Sequence, residues 1–290
     1  MDTSDILKRV RKVEIKTKGL TKHVFAGEYH SAFKGRGMAF SEVRGYEYGD
    51  DVRNIDWNVT ARTGDPYVKV FEEERELTVM LLIDISASSF FGTKSVFKSE
   101  LITELSAILA FSAMTNNDKV GAILFSDKIE KYLPPKKGRQ NILRIIRELI
   151  HVTPEQSGTN LNDALVYLKN IEKKRSIVFI LSDFMDDNYE QALSIASKRH
   201  DIIGVKVVDD AERKLPDVGL MAVQDAETGV KRIIDTSDFR LRKHWEDTYV
   251  ARDHAFKQTF AKSKADALTI HTEDDYVKAL QLFFKNRSRR

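Results

Sequence analysis

Val79-Met80-Leu81-Leu82-Ile83-Asp84-Ile85-Ser86-Ala87-Ser88 decides how this chain is read. Five apolar residues in a row show no alternation, so the segment has no solvent face. It reads as a strand buried on both sides, as in parallel sheets covered by helices. The run ends at Asp84, and two hydroxyls follow at alternate positions, Ser86 and Ser88. Three hard oxygen donors at the mouth of a strand suit Mg²⁺ better than zinc. A capped strand-to-helix loop would use the same residue types, so the meaning of the pentad depends on what else the chain supplies.

Working outward, the pattern after residue 76 is strand, helix, strand. Strands are expected at Thr78–Asp84, Val120–Ser126, Ser176–Asp183, Ile202–Val208 and Ala267–Thr272. Helices are expected at Lys94–Thr115, Arg139–Ile150, Asn160–Ile171, Asn188–Lys198, Phe239–Ala265 and Asp274–Lys285. Such alternation argues for an α/β fold, a doubly wound and mostly parallel sheet with helices on both faces. Ile129–Leu133 follows Val120–Ser126 too closely for a crossover helix and should pair antiparallel at an edge. Leu220–Asp235 reads as an inserted hairpin turning at Glu227-Thr228-Gly229.

Before residue 77 the character differs. Residues 5–22 read as an amphipathic helix with Ile6, Val10, Val13 and Leu20 on one stripe. From 33 to 76, glycines punctuate short runs such as Tyr67-Val68-Lys69-Val70-Phe71, which suggests a small antiparallel sheet. The expected organisation is therefore 1–76, an N-terminal helix and small β subdomain, followed by 77–290, the main domain.

Two further sites join the pentad. Thr159, in Ser157-Gly158-Thr159-Asn160, stands in a loop leading into a helix, where its hydroxyl is available as a ligand or a cap. Ile177-Val178-Phe179-Ile180-Leu181-Ser182-Asp183 is a second buried-strand run ending in an aspartate. Open parallel sheets bind ligands beyond the carboxyl ends of their strands, where strand order reverses. If these two strands are neighbours there, Asp84 and Asp183 converge. Two carboxylates and three hydroxyls leave room on a divalent ion for water or one outside ligand, and they roughly balance its charge.

Asp84-x-Ser86-x-Ser88, Thr159 and Asp183 resemble, in order and spacing, the metal-ion-dependent adhesion site of von Willebrand factor A domains. The resemblance implies a six-stranded sheet of order 3-2-1-4-5-6 whose third strand is antiparallel. It also implies Mg²⁺, or Mn²⁺, held by Asp84, Ser86, Ser88, Thr159 and Asp183, with an open position for a Glu or Asp carboxylate of a partner protein. The N-terminal part carries Gly35-Arg36-Gly37, Gly49-Asp50-Asp51-Val52-Arg53-Asn54-Ile55-Asp56-Trp57, Ala61-Arg62 and Phe71-Glu72-Glu73-Glu74-Arg75-Glu76. With Gly219 and Asp225-Ala226-Glu227-Thr228-Gly229, this is similar to the bacterial domain of unknown function family fifty-eight. That resemblance implies a von Willebrand A-like domain behind the N-terminal block and association with a MoxR-type AAA+ ATPase, as partner or adaptor in chaperone-like assembly. One departure is that Ser89-Phe90-Phe91 follows the second serine where the family often has a methionine.

Composition excludes several classes. The 290 residues are 42% hydrophobic and 31% charged, an ordinary globular balance. A net charge of +3 is too mild to argue for nucleic acid, although basic residues concentrate at both ends. RNA binding through those ends would predict a steep salt dependence. The absence of cysteine removes disulfides, thiolate zinc sites and cysteine nucleophiles. No apolar run approaches the ~20 residues needed to span a bilayer, and the expected location is the cytoplasm. Dinucleotide, P-loop, nucleophile-elbow and zinc-hydrolase patterns are all incomplete.

The expectation is a non-enzymatic, Mg²⁺-dependent protein-interaction module. The alternative is a Mg²⁺-dependent phosphoester hydrolase recruiting Asp127 or Asp186 as a base. The Asp50–Trp57 block reads as a buried ion-pair network of Asp50, Asp51, Asp56, Arg53 and Arg62 with Trp57 as its apolar anchor. The rival reading of that block is a partner-docking surface.

Overall fold

Contacts along the chain divide it into two units, one of residues 33–76 and the other of the stretches on either side. The structure, a computed structural model, describes residues 8, 10–17, 33, 39–72, 76–90, 97–152, 158–224 and 229–289.

In the smaller unit, β1 (Ala39–Gly45) pairs antiparallel with β2 (Tyr67–Glu72). Between them lies a short helix that the sequence reading overlooked, α2 (Trp57–Thr63). It was legible from its ends. Asp56 accepts hydrogen bonds from the N–H groups of Asn58 and Val59, and Gly64 closes the helix in the left-handed conformation. The expected buried ion network is not what forms here. Asp50 takes a two-pronged bond from Arg44 at 2.8 and 2.9 Å, Asp51 caps the turn Val52–Asn54, and Trp57 is 67% exposed. Short acidic side chains satisfy local backbone donors more easily than they meet distant arginines.

The N-terminal helix, here α1 (residues 10–17), was expected to belong with the small sheet but groups with the larger unit. Arg139 donates to Glu14 at 2.8 Å, and Lys16 reaches Glu104. The expected ends of that helix, 5–7 and 18–22, lie outside the described residues.

The larger unit is built on β3 (Thr78–Asp84), β4 (Lys119–Phe125), β5 (Ile129–Lys136), β6 (Ile177–Ser182), β7 (Asp201–Val208) and β10 (Asp266–His271). Their order is β10-β7-β6-β3-β4-β5, and every neighbouring pair is parallel except β4–β5. Counted along the chain, this is 3-2-1-4-5-6 with the third strand antiparallel at the edge: the von Willebrand A-like sheet. The bounds of β3 coincide with expectation, and the other strand ends differ from it by at most three residues, the usual uncertainty at element termini.

Alternate residues of the sheet feed two cores. Met80, Leu82, Val178, Ile180 and Ile202 face one side. There they pack under α5 (Leu161–Ile171), α6 (Glu190–Ser197) and α8 (Phe239–Lys262). The helices α3 (Lys98–Thr115) and α4 (Arg139–His151) come between β3 and α5 in the chain, and α3 is buried on nearly every side. Phe179, offset by one residue from Val178, meets Phe284 of α9 (Tyr276–Arg287) edge to face. A tight approach occurs at Gly204 of β7, where any Cβ would lie 2.5 Å from the ring of Phe260. The inserted hairpin forms from β8 (Leu220–Gln224) and β9 (Lys231–Asp235); most of its expected turn lies outside the described residues. A single turn, α7 (Asp210–Arg213), precedes it. Among the described residues, no helix is long and apolar enough to cross a membrane.

Candidate metal centre

The chain leaves β3 for one half of the sheet and returns to β6 for the other, and these two strands are hydrogen-bonded neighbours. Asp84 closes β3 and Asp183 directly follows β6, so both carboxylates stand at the reversal of strand order. Ser182 ties them together by donating its hydroxyl to Asp84 Oδ2 at 2.6 Å. Both aspartates are buried, at 1% and 3% exposure.

The turn after β3 is shaped by Asp84 itself. Its Oδ1 accepts the N–H of Ser86 at 2.9 Å, which folds the chain back and places Ser86 Oγ 3.0 Å from Ser88 Oγ. Ser88 in turn hydrogen-bonds Asp183. Thr159 arrives from a different direction. Its neighbour Asn160 donates to the carbonyl of Ser126 after β4, and Leu161 N–H donates to Asp186 Oδ2 after β6. Because β3 lies between β4 and β6, the loop hangs across the end of β3. Thr159 Oγ1 is buried and has no hydrogen-bond partner among the described residues. Ser88 and Thr159 are half-buried as residues.

The electrostatics are those of two acids forced together. Burial first, then the charge of Asp183, push the Asp84 carboxyl up to about 7, against hydrogen bonds from Ser182 and Ser86. Burial acts on Asp183 too, but Lys98, Ser88 and the Met185 N–H outweigh it and hold that carboxyl below the usual range. A cation between the carboxylates would relieve this repulsion and give Thr159 Oγ1 a partner, so the residues present fit a hard divalent ion.

Sequence reasoning missed Lys98, Ser182 and Glu212. The Lys98 ammonium, fully buried, reaches Asp183 Oδ2 at 2.9 Å and Glu212 Oε1 at 2.6 Å. One signal was available, since a lysine at the first position of an apolar helix opposes the helix dipole and so calls for a carboxylate partner. The backbone behind Asp183 is also unusual. Phe184 has φ +53 and packs against Tyr189, Phe256 and Phe260. Few bulky residues adopt that region without such support.

With fold and site in place, comparison with known proteins adds family membership. The fold class is von Willebrand A-like. The chain belongs to the family described as "Protein of unknown function DUF58", whose pattern matches residues 42–255. An uncharacterised protein of Mycobacterium tuberculosis, Rv1480, is 30% identical over 292 residues, covering 100% of this chain and 92% of that protein. A second uncharacterised protein, from Mycobacterium avium, is 29% identical over 160 residues, 54% of this chain and 94% of its own length. Among solved structures, an aerotolerance-related membrane protein of Bacteroides fragilis superposes with TM-score 0.51 at 16% identity, covering 73% of this chain and 98% of that one. The protein BatB of Bacteroides thetaiotaomicron gives TM-score 0.48 at 17% identity, with coverage of 74% and 100%.

Proposed function

We propose that Asp84, Ser86, Ser88, Thr159 and Asp183 hold Mg²⁺, with Mn²⁺ as a substitute, and that the loaded site captures a Glu or Asp side chain of a partner protein. The observation that carries this reading is the buried hydroxyl of Thr159, without a partner among the described residues, on a loop anchored after β4 and β6, the two strands that flank Asp84, whose carboxyl is pushed up by burial and by Asp183. A buried polar group without a partner costs about 1–3 kcal/mol, a penalty that a ligand in the site would remove. The bound ion would supply a Lewis-acidic position for an outside oxygen. The chain's own residues supply orientation: Ser182 and the Ser86 N–H fix Asp84, while Lys98 fixes Asp183.

Binding rather than catalysis is the better reading because the carboxylates considered as bases have other partners. Asp186 accepts from Leu161 N–H at 2.7 Å, and Asp127 accepts from the Ser126 hydroxyl at 3.1 Å. Family resemblance suggests a MoxR-type AAA+ ATPase or its client as the partner, and the cytoplasm as the place of meeting. The test is thermal unfolding and partner pull-down in Mg²⁺, in chelator, and with Asp84→Ala. Saturating Mg²⁺ at a hundred times its Kd is expected to stabilise the wild type by about 3 kcal/mol, and Asp84→Ala not at all. Pull-down and melting that ignore all three conditions would sink the reading. Turnover of phosphoesters that Asp183→Ala abolishes would replace it with a hydrolase.

A further inference from the structure

Lys98 sits where an ammonium is least welcome. It is fully buried, it is the first residue of α3, and the preceding Phe97 offers no side-chain cap. Desolvation and the positive end of the helix dipole both oppose its charge. Two carboxylates outweigh them, Asp183 Oδ2 at 2.9 Å and Glu212 Oε1 at 2.6 Å. Glu212 is itself fixed, because its second oxygen accepts the N–H of Asp209 at 3.2 Å in the capping box of α7. The other buried lysine close by, Lys206, has its own counter-ion in Asp253 at 3.8 Å.

We propose that Lys98 and Glu212 form a charge-balanced clamp on Asp183: the ammonium fixes the carboxylate, and Glu212 cancels the positive charge that would otherwise repel a cation at the site. This rests on the metal reading above and assigns two positioning residues to it. Asp84, Asp183 and Glu212 against Lys98 leave two negative charges, which a divalent ion cancels. The loaded site is then neutral and does not turn away an incoming carboxylate. Removing one member of the clamp uncovers the charge of the other, the ammonium in contact with Asp183 or the carboxylate held on the far side of that ammonium, and one unit of charge so placed alters ion affinity by about tenfold or more.

The experiment uses the full chain. Mn²⁺ affinity is read from the electron paramagnetic resonance of the free ion, and acetate binding to the Mn²⁺-loaded protein from water-proton relaxation. Lys98→Met is expected to tighten Mn²⁺ and weaken acetate by about tenfold each, and Glu212→Gln to move both the opposite way. The double variant Lys98→Met/Glu212→Gln is expected to return both within about threefold of the wild type, since the charge count is restored. Should Lys98→Met fail to fold, Glu212→Gln and the double variant still decide the matter. Single variants that both weaken Mn²⁺, with no recovery in the double, show a merely structural role and overturn the clamp. Unchanged affinity in every variant overturns it as well. A wild type that takes up no Mn²⁺ is a separate outcome, which removes the metal reading and the clamp with it.

Discussion

A hydroxyl buried without a partner is a local cost that a substitution can expose. Thr159→Val replaces Oγ1 by a methyl of nearly the same size in a place where the hydroxyl has no partner among the described residues. In chelator, the variant is expected to melt higher, by about 1 kcal/mol of added stability. In Mg²⁺ it is expected to bind the ion about tenfold more weakly, because one oxygen ligand is gone. Thermal melts and titration calorimetry together check both signs. A variant destabilised in chelator would show that the hydroxyl serves the fold alone. The ligand-type residues themselves were legible, because aspartates and hydroxyls at fixed spacing announce their chemistry. Lys98 and Glu212 were not. Their contacts span 85 and 114 positions, and no local pattern carries information across such distances.

At the scale of elements, β3 and β6 announced themselves because uninterrupted aliphatic runs fit a strand covered on both faces. The Trp57–Thr63 helix was overlooked despite its legible caps because seven residues span two turns, too few for a periodic stripe to stand out. Packing between elements was equally invisible. Gly204 lies inside the expected strand Ile202–Val208 with nothing in the sequence to mark its role, yet its missing side chain is the seat of the Phe260 ring on α8. Gly204→Ala would drive a methyl into that ring, and the collision is expected to cost about 1–3 kcal/mol. Urea unfolding should show a lower midpoint at unchanged slope. An alanine variant as stable as the wild type would mean that α8 shifts freely over the sheet.

For the whole molecule, acid stability is governed in part by a residue at the opposite end of the sheet from the candidate metal centre. His200 precedes β7, is 3% exposed, and neither ring nitrogen has a partner among the described residues. Burial, and less strongly the charge of Arg199, push its pKa down from 6.5 to about 4. Between these values the unfolded chain binds a proton that the folded chain refuses. The contribution of His200 is therefore intact above about pH 6.5 and is lost as the pH falls toward 4, by roughly 3 kcal/mol at the lower limit. Asp84, raised to about 7, adds an opposite slope common to both chains, so across that window the unfolding free energy of the wild type should fall relative to that of His200→Phe by roughly 3 kcal/mol. An equal slope in both would place the acid sensitivity elsewhere.

The bond between Ser182 and Asp84 joins residues 98 positions apart, across parallel strands that three helices and the strands β4 and β5 separate in sequence. Such pairings form late, because a long loop must close before any contact rewards it. The donor set consequently has no partial version in the nascent chain. Half a sheet offers an isolated aspartate and two serines, which bind a divalent ion no better than any other acidic loop. If the site takes an ion as proposed, capture would belong to the last act of folding, and the site would double as a timekeeper for closure of the sheet.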